Sequence, residues 1–234
     1  EQERIVTKIN ASLSRMERAK IATLRARARL NRYRVAILNS SVTGELTCDW
    51  RETLQKSTKA NSETGSDLLQ PLHIDRRSRW EDAEFRRLCL IGKEPKGNKW
   101  KSGYLEPILQ CKEDLQNLPQ GWIRTTLGDV CLPVATIRPE NFPDEKFIYF
   151  DIGGIDNERN RIVEAKTFIG RNAPSRARQL VHKGDVLFST VRTYLRKIAC
   201  VENNYPNQVA STGFIVIRAG KDISSQFLFY QVLS

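Results

Sequence analysis

Histidine is the scarcest chemical resource here: two in 234 residues, His73 and His182, and neither has a second His or a Cys at zinc-ligand spacing. The five cysteines, Cys48, Cys89, Cys111, Cys131 and Cys200, contain no Cys-x-x-Cys pair. An odd count at wide gaps fits reduced thiols and not a disulfide framework. The longest apolar runs, four residues each such as Phe214-Ile215-Val216-Ile217 and Phe227-Leu228-Phe229-Tyr230, fall far short of the ~18 residues of a membrane span. There is no basic-then-apolar leader, so the expected setting is the cytoplasm, away from any membrane. Neither a Gly-x-x-x-x-Gly-Lys-Ser/Thr phosphate loop nor a Gly-x-Ser-x-Gly elbow occurs. No metal and no cofactor is expected from these residues. The chain opens on Glu1, not Met, and reads as a piece of a longer one.

What the sequence does have is positive charge. Thirty-eight Lys and Arg stand against 27 Asp and Glu, a net charge of +11 with a pI near 9.6. Such a balance points to a polyanionic partner, nucleic acid first. A hydrophobic content of 40%, with four Trp, six Tyr and nine Phe, is too apolar for a chain disordered throughout. The excess is uneven. Residues 1–34 carry ten Lys/Arg and three Glu, residues 35–117 carry thirteen of each sign, and residues 118–234 carry fifteen against eleven.

The first forty residues lack Gly and Pro and are rich in Ala, Arg, Leu and Lys, all strong helix formers. Ile5, Ile9, Leu13, Met16, Ala19, Leu24, Leu30 and Ile37 recur near a 3.5-residue period, and Gly44 offers a stop. This predicts a coiled-coil-type helix over 1–46 that cannot bury its stripe alone. Arg25, Arg27, Arg29, Arg32 and Arg34 crowd its second half, as a solvated face or as contacts to DNA phosphate or an acidic partner subunit. Residues 47–117 read as a linker. Lys56 to Ser66 has no apolar period, and Lys93 to Lys101 is loop again. A short helix runs from Asp67 to about Cys89, with Leu68, Leu69, Leu72, Trp80, Phe85 and Leu88 as candidate contacts. From 118 the period changes. Phe147–Ile152, Arg161–Val163, Asp185–Ser189 and Phe214–Ile217 are short β-branched and aromatic runs punctuated by Gly, Pro and Asn. Ser224 or Ser225 then offers an N-cap for an apolar helix, Gln226 to Leu233, and with the chain stopping inside or just after it the domain is expected to be incomplete. The expected fold is α+β: a long helix, a linker, and a mostly β domain with a few helices.

Local stretches, in order, resemble the specificity subunit of type I restriction–modification enzymes. Glu1-Gln2-Glu3-Arg4-Ile5-Val6-x-Lys8-Ile9 and Gly44-Glu45-Leu46-Thr47-x-x-Trp50-Arg51 are similar to the two ends of that family's long helix. Arg76-Arg77-x-x-Trp80-Glu81 and Trp100-Lys101-x-x-Tyr104-x-Glu106-Pro107 resemble its spacer. Leu118-Pro119-x-Gly121-Trp122, Ser175-Arg176-Ala177-Arg178, Lys183–Ser189, Val191-Arg192 and Ser211-Thr212-Gly213-Phe214 resemble its second target-recognition domain. The resemblance implies two recognition domains separated by two antiparallel helices, each domain reading half of a split double-stranded DNA site. It implies that methyltransferase (M) subunits and, through them, restriction (R) subunits supply the chemistry. This chain would then be non-catalytic: one spacer helix, which sets half-site spacing and docks M subunits through Ile5, Ile9, Leu13, Met16, Leu24, Leu30 and Ile37, plus most of one recognition domain.

The residues themselves fit such a role. Sequence readers need phosphate contacts for position and side chains at base edges for specificity. Ser175 to Lys197 interleaves Arg176, Arg178, Lys183, Arg192, Arg196 and Lys197 with Thr190, Thr193 and Tyr194, and its single acid is Asp185. Ser211 and Thr212 could add hydroxyls and amides near phosphate, or simply begin a strand. Lys183-Gly184-Asp185 reads first as a turn feeding a core strand. Two rival readings stand beside this one. Pro143-Asp144 with Glu164-Ala165-Lys166 has the Pro-Asp…Glu-x-Lys outline of a metal-dependent nuclease, in which Asp144, Glu164 and Lys166 would act together. The other is a helical assembly module with an inert β domain.

Overall fold

The computed structural model describes residues 1–57, 64–95, 97–106 and 118–234. Parts of the stretches read as loop and spacer, namely residues 58–63, Lys96, Pro107 and Cys111, lie outside the described residues. The chain divides into two units at residue 58.

In the first unit, helix α1 spans Gln2–Val42, forty-one residues or about 60 Å, and buries none of them. Gly44 ends it in the left-handed region at φ 80°, as a glycine stop should. A 3₁₀ turn, Glu45–Thr47, leads into α2, Cys48–Ser57, a helix in the stretch read from sequence as linker.

The second unit starts with α3, Gly65–Leu90, opened by a capping box in which Thr64 Oγ1 accepts from Asp67 N and Asp67 Oδ2 accepts from Thr64 N at 2.9 Å. The two spacer motifs fold onto each other. Trp80 of α3 stacks on Trp100 at 6.3 Å and meets Tyr104 at 5.4 Å, while Lys101 Nζ pairs with Glu81 at 2.6 Å. Residues 65–90 are therefore no tether. Gly65 N donates to Gly121 O at 2.7 Å, Leu72 is buried, and Arg76 pairs with Asp129 of the one-turn helix α4, Leu127–Val130.

Among the described residues, ten short strands follow. β1 (Cys131–Leu132), β10 (Phe214–Ala219), β7 (Val186–Ser189) and β8 (Ile198–Cys200) form one antiparallel sheet in the order β1-β10-β7-β8. β5 (Lys166–Ile169), β2 (Lys146–Phe150), β9 (Gln208–Ser211) and β6 (Ala177–Leu180) form a second, with β2 and β9 parallel. A hairpin of β3 (Ile155–Asp156) and β4 (Arg161–Ile162) stands apart. The main core unites side chains of both sheets: Phe150 and Ala210 from one, Leu187, Ala199, Phe214 and Val216 from the other. The opposite face of the second sheet has its own cluster of Phe147, Tyr149, Ala177 and Val209. Burial on both faces explains why β2 reads as the unbroken apolar run Phe147-Ile148-Tyr149-Phe150. Helix α5, Ser225–Leu233, is capped by Ser224 Oγ, which accepts from Phe227 N at 3.3 Å. The fold is thus α+β, a long helix followed by a mostly β unit, as the sequence predicts.

Candidate nucleic-acid interface

Three connections converge at one end of the β unit. The β7–β8 loop, Thr190–Lys197, folds back on the β9–β10 turn: Thr190 N and Oγ1 both donate to Gly213 O, at 2.9 and 3.0 Å. Thr212 N in turn donates to Arg176 O at 2.9 Å, drawing in the turn before β6. Within the loop, Arg192 (φ 52°) and Arg196 (φ 48°) hold left-handed backbone on either side of a 3₁₀ turn, Thr193–Leu195. Each such residue costs about 1–3 kcal/mol, strain that persists only where surrounding structure dictates it. Ser189 Oγ, donating to Val191 O at 2.9 Å, is part of what dictates it. Arg176, Arg192, Thr193, Tyr194 and Thr212 are exposed there, Tyr194 by 76%. Among the described residues neither Arg176 nor Arg192 has a side-chain hydrogen bond or ion pair.

The other predicted contacts have different employment. Arg178 makes a two-pronged pair with Glu140 at 2.5 and 2.7 Å, and that hydrogen bonding holds the Glu140 carboxyl at about 2. Arg196 donates to the Leu233 carbonyl, and Lys197 Nζ donates to Ile152 O and Ile155 O, both at 3.0 Å. These two cations tie the loop to its surroundings. Lys183 sits in the turn before β7, where Gly184 (φ 90°) allows the bend and Asp185 is buried against Arg218. The four residues of β7, roughly 13 Å, separate Lys183 from the loop. Ser211 corrects the sequence reading: it is fully buried, with Oγ accepting from Gly213 N at 3.3 Å, so its hydroxyl braces the turn and does not reach the surface.

The nuclease outline does not assemble. Asp144 pairs with Arg171, Lys166 pairs with Asp151 at 3.4 Å, and Glu164 is exposed. No three His, Cys, Asp or Glu side chains among the described residues are grouped to hold a metal ion. No described helix is long and apolar enough to cross a membrane. On α1 the stripe of Ile5, Ile9, Leu13, Met16, Leu24, Leu30 and Ile37 is exposed along its whole length, from 38% at Ile37 to 67% at Met16 and Leu30.

No family model matches the chain. A curated relative does: the type I restriction enzyme HindI specificity subunit of Haemophilus influenzae is 29% identical over 115 residues, which are 48% of this chain and 24% of that protein. Over that half, the chain is similar to a type I specificity subunit. Among solved structures, the crystal structure of the HsdS subunit from Thermoanaerobacter tengcongensis is 44% identical, covering 50% of this chain and 30% of that one, with a TM-score of 0.49. A second, from work on complex assembly and conformational transition of the type I R-M system, has the same identity and coverage at a TM-score of 0.48. At these TM-scores neither superposition adds to the kinship. The chain spans about a quarter of the length of its curated relative.

Proposed function

We propose that the β unit reads DNA sequence within a type I restriction–modification complex, taking one half of a bipartite target and carrying out no catalysis itself. The observation that carries this reading is the convergence of Arg176, Arg192, Thr193, Tyr194 and Thr212 on one exposed end of the β unit, in a chain about half of which is similar to a specificity subunit. Unpaired guanidinium groups among hydroxyls and an aromatic ring suit a DNA groove, where Arg forks onto guanine and hydroxyls take phosphate or base. Helix α1 would set the spacing between half-sites and offer its exposed stripe to methyltransferase subunits, with restriction subunits joining through them. A cytoplasmic location follows from such a partnership.

The test is binding of the full chain to a pool of randomised duplexes, with the bound fraction sequenced across a salt series. Sequence-dependent binding that weakens steeply with salt is expected. Arg192→Ala should lose about 1–3 kcal/mol and relax preference at one position. Absence of any sequence preference, in the chain and in its assembly with the methyltransferase subunits, would refute the reading.

A further inference from the structure

We infer that the β3–β4 hairpin is a second base-reading element beside the 190–196 loop, with Arg159 as its reading residue and a guanine edge as its ligand. This rests on the DNA-reading function proposed above. The pairing of Ile155 with Ile162 and of Asp156 with Arg161 leaves a four-residue tip, Asn157–Asn160. Its shape is set from inside: Asp156 Oδ1 accepts from Glu158 N at 2.9 Å and from Arg159 N at 3.2 Å. Those amide bonds, with Arg159 and Lys197 as nearby charges, hold the Asp156 carboxyl below its ordinary range.

Three links fasten the hairpin to the loop and to the first residue of β8, one of them directly from tip to loop. Asn157 Nδ2 donates to Leu195 O at 3.0 Å, Asn160 Nδ2 donates to Ile198 O at 3.4 Å, and Lys197 Nζ donates to Ile155 O at 3.0 Å. Leu195 follows Tyr194 directly, so the hairpin tip stands against the same stretch that presents Arg192 and Tyr194. The base of the hairpin is anchored in the main core by Ile155 and Ile162. A site built on anchored, cross-linked elements holds side chains to the tolerance that base reading demands.

The charge at the tip favours bases over phosphate. Asp156, Glu158, Arg159 and Arg161 sum to zero, whereas a phosphate clasp gains from a cationic excess. The Arg159 side chain is 77% exposed, and its ion pair with Asp156 is stretched to 3.9 Å, leaving the guanidinium fork to meet guanine O6 and N7.

The experiment uses the full chain and the randomised duplex pool. Arg159→Ala is expected to relax preference at one or two positions distinct from those lost in Arg192→Ala. Discrimination there should fall about five- to a hundredfold, with an unchanged salt slope. Arg159→Lys keeps the charge and loses the fork, so it should relax the same positions, and it serves if the alanine variant melts early. Asn157→Ala, which cuts the tie to Leu195, should blur those positions while leaving Arg159 in place. An unaltered motif in Arg159→Ala and Arg159→Lys would overturn the inference. Equal weakening on every sequence, with a salt slope smaller by about one, would overturn it too, by making Arg159 a phosphate contact. A wild-type chain that enriches no motif, alone and assembled with the methyltransferase subunits, would instead sink the DNA-reading function, and this inference with it.

Discussion

Replacing Arg218 by methionine should be among the most damaging single changes in the β unit. The Asp185 carboxylate, with only 3% of its side chain exposed, accepts from Arg218 Nε at 2.9 Å, from Arg218 Nη2 at 2.6 Å and from His182 N at 2.8 Å. Arg218 Nη2 also donates to Leu180 O at 3.0 Å, so one guanidinium joins β10, β6 and the start of β7. Without it, Asp185 keeps one backbone donor of three and its charge stays buried. A stranded buried charge of this kind costs about 3–5 kcal/mol. Total stability for a unit this size is on the order of 5–15 kcal/mol, and about 4 °C of Tm accompanies each kcal/mol, so Tm should drop by roughly 10–20 °C. Thermal and urea unfolding of the chain, followed by circular dichroism, measures this. The double replacement Asp185→Leu with Arg218→Met should recover most of the loss, because it removes the charge along with its partner. The reasoning fails if Arg218→Met alone costs less than about 1 kcal/mol. It fails equally if the double variant is no better than the single, since lost packing and not a stranded carboxylate would then be the cause.

Two further outcomes follow from the same physics. Arg178 holds the Glu140 carboxyl at about 2, below its ordinary 4.5, so the stabilisation by this pair is complete above pH 4.5 and disappears as pH falls toward 2. The Tm difference between the wild type and Glu140→Gln should therefore shrink over that interval; a difference that ignores pH would contradict the pairing. Burial pushes the Cys131 thiol up to about 11 and raises that of Cys200 as well, whereas Cys48 and Cys89 are exposed. With well under about 1% thiolate at pH 8, Cys131 should alkylate at least tenfold more slowly than Cys48 and Cys89, as read by peptide mass spectrometry, and equal rates would refute the burial argument.

Much of the architecture was legible along the chain because it rests on local physics. Helix α1 needs only forty residues of good helix formers and a glycine free to take φ 80°. The apolar strands β2, β7 and β10 announce themselves by β-branched and aromatic runs, and Ser224 by its capping position. β9 does not. Gln208-Val209-Ala210-Ser211 looks like a polar connection, yet all four residues are buried, because a central place in the sheet and not hydrophobicity makes them a strand. The helix at 65–90 was legible as a helix from about 67 to 89, but its place in the β unit was not, because it rests on contacts such as Arg76 with Asp129, 53 positions away.

The interface divides along the same line. Sequence by itself determined that arginines and hydroxyls cluster between 175 and 197 and that an apolar stripe runs down the first helix, since composition and period are properties of neighbours along a chain. Only tertiary structure decided which of those groups are available. It paired Arg178 with Glu140, turned Arg196 and Lys197 into braces, buried Ser211 and left Arg176 and Arg192 facing outward. It also tied Asn157 to the Leu195 carbonyl, next to Tyr194, across 38 positions of the chain. Availability depends on partners in space, and hydrogen bonds between side chains and distant carbonyls leave no periodic trace in the order of residues.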